Sequence, residues 1–120
     1  MIKVYGYDVR HFATEIPFTS WIFPGGEVGV KLSEPFKLRD AKFASVQIRC
    51  VNQKVTSDDF MIIANLKEAV SRLINVDIDL YIPYLPYARQ DRACHVGESF
   101  ALFVFMQMLA TIRARLASNL

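Results

Sequence analysis

The sequence has little that would place it outside the class of globular proteins. It contains only two cysteines, Cys50 and Cys94, and their positions form neither a CxxC pair nor a Cys/His spacing typical of metal ligands. Charge and glycine interrupt the apolar residues between Met1 and Asp8, so no secretion signal is predicted. We therefore expect two free thiols in the reducing cytoplasm and no disulfide framework.

Long apolar runs and an excess of one charge are also missing. The most apolar stretch, Phe100–Met106, is far shorter than the roughly 20 residues that cross a membrane, and it predicts a buried helix. Fourteen basic and 12 acidic residues give a net charge of +2, which argues against a nucleic-acid or membrane partner. Five glycines and five prolines form no linker, so residues 1–120 are expected to form one domain.

The apolar residues that are present recur with the periods of strands and helices. Residues 1–9 and 44–51 predict strands. Residues 19–32 predict a hairpin, because two strand-like runs flank the turn signal Pro24-Gly25-Gly26. The segment 11–17 is ambiguous.

The middle of the chain predicts a strand–helix–strand unit. The helix should begin near Ser57, because Thr56 and Asp59 have the spacing of a capping box, and should end near Asn75. A strand over 76–82 follows, and a last helix is predicted over 97–117. Together these elements predict an α/β fold in which the strands that flank the first helix are parallel. Ligands of such sheets bind at the carboxyl ends of the strands.

The segment after the 76–82 strand lies at such a carboxyl end. Residues 83–92 read PYLPYARQDR and contain two prolines, two tyrosines and two arginines. Guanidinium groups bind phosphate through paired hydrogen bonds, and prolines lower the entropy cost of holding a loop ready. On composition alone, the alternative is a solvated loop in which the arginines pair with Asp91 or Glu98.

The string YIPYLPYARQDR, residues 81–92, resembles the signature of ribose-phosphate diphosphokinases (phosphoribosyl-pyrophosphate synthetases). Three further segments resemble that family in the right order: residues 23–27 (FPGGE), 57–61 (SDDFM) and 97–100 (GESF). The resemblance implies the N-terminal half of the enzyme. It also implies a phosphoribosyltransferase-like fold, a parallel sheet flanked by helices with an antiparallel hairpin at residues 19–32.

The resemblance implies that two segments contact ATP. At the hairpin tip, Phe23 would stack on the adenine of a neighbouring subunit and Glu27 would accept a hydrogen bond from its amine. Gly25 stands where the family has Asp or Asn, so one side-chain hydrogen bond is lost. Without the resemblance, an ordinary turn with Phe23 in the core is the simpler interpretation. The second ATP-binding segment is the loop that contains Arg89, Gln90, Asp91 and Arg92, in which Asp91 is expected to orient the arginines.

The activity implied is transfer of diphosphate from ATP to ribose 5-phosphate, with Mg²⁺ as the cofactor and a homo-oligomer as the assembly. The family's second half supplies the ribose-phosphate loop, the mobile catalytic loop and most metal ligands, and none of these motifs occurs in residues 1–120. We therefore assign no catalytic or metal-binding residue, and His95 is not expected to replace the family's metal-binding histidine. The isolated chain is expected to be inactive. The alternatives are a regulatory module that assembles with a complete synthetase and a structural domain that binds nothing.

Overall fold

The computed structural model describes residues 1–51, 55–84, 86 and 95–118, the last four by their backbone only. Seven strands and three helices lie in this part of the chain. In chain order they are β1 (Ile2–Tyr7), β2 (Ala13–Glu15), β3 (Phe18–Ile22), β4 (Val28–Leu32), α1 (Phe36–Arg39), β5 (Ser45–Cys50), α2 (Ser57–Ser71), β6 (Asp77–Ile82), α3 (Ala101–Ile112) and β7 (Arg115–Ser118).

Five strands form one sheet in the order β2-β1-β5-β6-β7, and β3 pairs with β4 in a separate hairpin. β5, β6 and β7 are parallel, whereas β1 runs antiparallel to β5 and to β2. The prediction of a parallel strand–helix–strand unit is confirmed, and the fold is α/β as predicted. The sheet is mixed because its N-terminal strands run against the parallel ones.

The core lies on one face of this sheet. Side chains alternate along a strand, so Val46, Ile48 and Cys50 of β5 point to the same side, and all three are fully buried. The two longer helices cover that side. Their contact includes an edge-to-face pair of Phe60 and Phe105, whose ring centroids are 5.6 Å apart. The other side of the sheet carries half-buried polar and aromatic residues, among them Lys3, Tyr5, Gln47, Arg49, Asp79 and Tyr81.

The start of α2 has the capping box that the sequence predicts. Thr56 Oγ1 accepts a hydrogen bond from the Asp59 amide at 3.1 Å, and the Asp59 carboxylate accepts one from the Thr56 amide at 3.0 Å. Both bonds satisfy amides that have no partner within the helix. The cap marks the start of α2 at Ser57, as the sequence predicts.

The end of the chain corrects one prediction. The last helix does not run over 97–117: α3 covers Ala101–Ile112, and Arg115–Ser118 forms β7, paired in parallel with β6. Arg113 ends the helix in the left-handed conformation, with φ of 61°. Arg, Leu and Ala in this segment are good helix formers, so the backbone hydrogen bonds gained by pairing with β6 outweigh the local helix propensity.

The prediction that the apolar run after residue 100 is buried is wrong for most of α3. Phe105 is buried in that run, but Phe103 and Val104 are about half exposed, at 54% and 47%. The ambiguous segment 11–17 contains the exposed edge strand β2, and the short helix α1 was not predicted. No helix in the described part of the chain is long and apolar enough to span a membrane.

Candidate functional site

The tip of the β3–β4 hairpin is a tightly bonded loop. The Phe23 amide donates to the Glu27 carbonyl and the Gly26 amide donates to the Phe23 carbonyl, each at 2.8 Å. Gly26 has φ of +94°, a conformation that residues with a Cβ rarely adopt, and Pro24 brings a fixed φ to the second position of the turn over residues 23–26. The backbone therefore holds residues 23–27 in a defined shape, and the predicted hairpin is confirmed.

Phe23 lies on the surface of this tip. Its side chain is 46% exposed, which contradicts the alternative that places it in the core. The ring meets Trp21 edge-on, with centroids 5.6 Å apart and planes at 79°. An exposed aromatic ring that is fixed by a neighbour presents a face on which a planar ligand can stack.

The Glu27 carboxylate folds back over Gly25. A Cβ added to Gly25 would lie 2.7 Å from Glu27 Oε1 and 2.8 Å from Oε2. The space that a side chain at position 25 would occupy is therefore filled by the Glu27 carboxylate. Because Glu27 is exposed and its oxygens only accept hydrogen bonds, it can receive one from an amine that is held beside the tip.

Trp21 is the residue of this surface that the sequence reasoning did not single out. Its Cα is paired with that of Gly29 across the hairpin, and a Cβ on Gly29 would overlap the indole ring. The glycine thus lets the indole lie against the strand. A usable signal was present, because Trp21 and Phe23 are two residues apart in a strand-like run of the predicted hairpin, and alternate residues of a strand share a face.

The second predicted segment begins at the carboxyl end of the sheet. β6 ends at Ile82, and Pro86 contributes to the wall of a groove of about 670 Å³ between the start of α2 and α3. The described part of that wall is mainly apolar and includes Phe60, Val104, Phe105 and Met108. Arg89, Gln90, Asp91 and Arg92 lie outside the described residues, so their predicted role stays a prediction.

The described residues offer no group of three His, Cys, Asp or Glu side chains that could hold a metal ion. Cys50 is no candidate for a ligand or a nucleophile. Burial, helped by the negative charge of Asp59, raises the pKa of its thiol to about 11, so the thiolate is not formed at neutral pH.

A protein-family model matches most of the chain. Residues 13–112 match the N-terminal domain of ribose phosphate pyrophosphokinase, another name for ribose-phosphate diphosphokinase. The chain belongs to this family. The match spans the hairpin, the strand–helix–strand unit and α3, and it confirms the resemblance inferred from the sequence motifs. A comparison with curated proteins gives no match.

Proposed function

We propose that the chain supplies nucleotide contacts to a ribose-phosphate diphosphokinase. The observation that carries the proposal is the hairpin tip. In this chain, the tip presents the exposed Phe23 ring and the Glu27 carboxylate on a loop whose shape is fixed by backbone hydrogen bonds. Phe23 would stack on adenine, and Glu27 would accept a hydrogen bond from the exocyclic amine. Gly25 would serve the same site by leaving room for the Glu27 carboxylate.

In the proposed reaction, the C1 hydroxyl oxygen of ribose 5-phosphate attacks the β-phosphorus of ATP. The bond from the β-phosphorus to the oxygen that bridges it to the α-phosphate breaks, and the hydroxyl proton passes to solvent. Phosphoribosyl pyrophosphate forms, and AMP leaves with the bridging oxygen. Arg89 and Arg92 would neutralise and hold the phosphates, with Gln90 as a further contact and Asp91 orienting the arginines. Mg²⁺ would be held mainly by the nucleotide phosphates and by residues of the family's second half. Positioning and charge neutralisation would account for most of the catalysis.

The hairpin and the loop would serve the same nucleotide across an interface between two copies of the chain. This arrangement makes a homo-oligomer part of the proposed function. Ribose 5-phosphate would bind only in the complete enzyme.

Calorimetric titration with Mg²⁺ and ATP tests the nucleotide contacts. We expect ATP to bind the wild-type chain and Arg89→Ala to weaken binding roughly ten- to a hundredfold, because a hydrogen bond to a charged group contributes about 1.5–3 kcal/mol. Arg10→Ala, which removes an exposed arginine from the β1–β2 turn, is the matched control and should bind ATP normally. Wild-type protein that binds no ATP would overturn the proposal.

A second candidate is a regulatory module that assembles with a complete synthetase without catalysing the reaction. It is favoured by the exposed apolar residues of α3, among them Phe103 and Val104, which offer a surface for a protein partner. In an AMP-release assay with ATP, Mg²⁺ and ribose 5-phosphate, the isolated chain should give no turnover above background. Adding it to a complete synthetase of the family should change that enzyme's rate if the second candidate is correct. A reading frame that continued past Leu120 into the family's ribose-phosphate loop would exclude this candidate.

A further inference from the structure

We propose that Trp21 is a second aromatic contact for the nucleotide base and that it favours purines over pyrimidines. The inference rests on the proposed function, because it extends the base site at Phe23. Trp21 lies in β3, before the loop formed by residues 23–27.

Trp21 and Phe23 form the two sides of a corner. One face of the indole lies over Gly29, whose missing Cβ leaves it room, and the side chain is 40% exposed. The Phe23 ring stands at 79° to the indole plane. A planar group that stacks on one ring therefore brings its edge to the other, an arrangement that aromatic systems favour.

The chemistry of the corner fits a purine that carries an amine. The indole is a fused two-ring system, so a two-ring base covers more of it than a single-ring base does, and stacking strength rises with the area in contact. Glu27 lies at the tip of the hairpin, where its carbonyl accepts a hydrogen bond from the Phe23 amide, and its carboxylate has only acceptor atoms to offer. A purine nucleoside triphosphate with an amino group contacts Trp21, Phe23 and Glu27. A pyrimidine has one ring and covers less of the Trp21 indole.

The site carries its own spectroscopic reporter, because Trp21 is the single tryptophan of the chain. We expect ATP to quench or shift its emission with a midpoint equal to the calorimetric dissociation constant. Inorganic triphosphate, which has no base, should bind at the phosphate contacts without changing the emission. CTP should give a smaller change and bind more weakly than ATP.

Two variants separate the aromatic contact from hairpin stability. Trp21→Leu keeps an apolar cover on Gly29 without a stacking face, and we expect about a tenfold weaker affinity for ATP and a smaller loss for CTP. Trp21→Phe keeps a ring and should fall between wild type and Trp21→Leu. Phe12→Leu changes an aromatic residue that is 66% exposed outside the hairpin, and it should bind ATP as the wild type does. Circular dichroism establishes that each variant is folded.

The outcomes distinguish this inference from the function on which it rests. If ATP binds and Arg89→Ala weakens binding, but Trp21→Leu and the indole emission show no effect, then Trp21 is not part of the site and the proposed function stands. If the emission responds to protein dilution but not to ATP, the corner is an interface between copies of the chain and the inference is wrong. The absence of any ATP binding would instead overturn the proposed function.

Discussion

At the scale of single residues, the buried thiol of Cys50 links stability to pH. Burial raises its pKa from 9.0 to about 11, so between these values the folded chain retains a proton that the unfolded chain has lost. The folded state therefore binds more protons in this window, and the stability that Cys50 contributes is present below pH 9 and is lost as the pH rises towards 11.

We predict that this loss reaches on the order of 2 kcal/mol, since each unit of pKa difference corresponds to about 1.4 kcal/mol. Urea unfolding at several pH values from 8 to 11 would measure it. Cys50→Ala removes the titrating group and should make the fall with pH shallower, even though the cavity lowers its stability at every pH. Equal pH dependence in the two proteins would contradict the prediction.

At the scale of elements, the capping box at the start of α2 contributes to the stability of the fold. Thr56→Ala removes the hydrogen bond to the Asp59 amide at 3.1 Å, and we expect it to lower the free energy of unfolding by about 1 kcal/mol. Ser57→Ala, one position further on, leaves both bonds of the capping box in place and serves as the control. Urea unfolding of the two variants should separate them. A Thr56→Ala protein as stable as Ser57→Ala would show that the capping box contributes little.

Replacing a phenylalanine by alanine should change the stability differently on the two sides of α3. Phe105 is 6% exposed and packs against Phe60, so Phe105→Ala should cost about 3–5 kcal/mol. Phe103 is 54% exposed on the same helix, and at protein concentrations too low for association Phe103→Ala should change the free energy of unfolding by less than about 0.5 kcal/mol. Thermal unfolding of both variants checks the difference. A large loss from Phe103→Ala would mean that this side of the helix is covered in solution.

The sequence predicted the elements whose signals are local and missed those decided by tertiary contacts. The capping box of α2 and the turn at residues 24–26 each depend on a few neighbouring residues, and both were predicted correctly. The end of α3 and the start of β7 were not, because nothing in Arg113 or its neighbours marks a helix end. That boundary is set by pairing with β6, which lies more than thirty residues earlier. At the candidate site, Phe23 and Glu27 were identified through a motif. The position of the Trp21 indole depends on its cross-strand partner Gly29, a contact that no motif marks.

At the scale of the whole molecule, the apolar surface predicts association. In the described part of the chain, four large apolar residues of α3 are each at least 39% exposed: Phe103, Val104, Met106 and Met108. Apolar patches of this kind tend to be covered by protein partners. We expect sedimentation velocity to show an average mass that rises with concentration, as the proposed homo-oligomer requires. A monomer at every concentration would contradict this prediction and weaken the proposed sharing of a nucleotide between copies.

The antiparallel pairing of β1 with β5 has a consequence for how the chain folds as it is synthesised. Ile2 is aligned with Cys50, so the first strand of the sheet must wait for a partner almost fifty residues later. Until then it can pair only with β2, and a lone two-stranded hairpin is marginally stable in water. Contacts between residues so far apart in sequence are slow to form. β1 is therefore made well before its partner, and it should become stable on the ribosome only after β5 has emerged to pair with it.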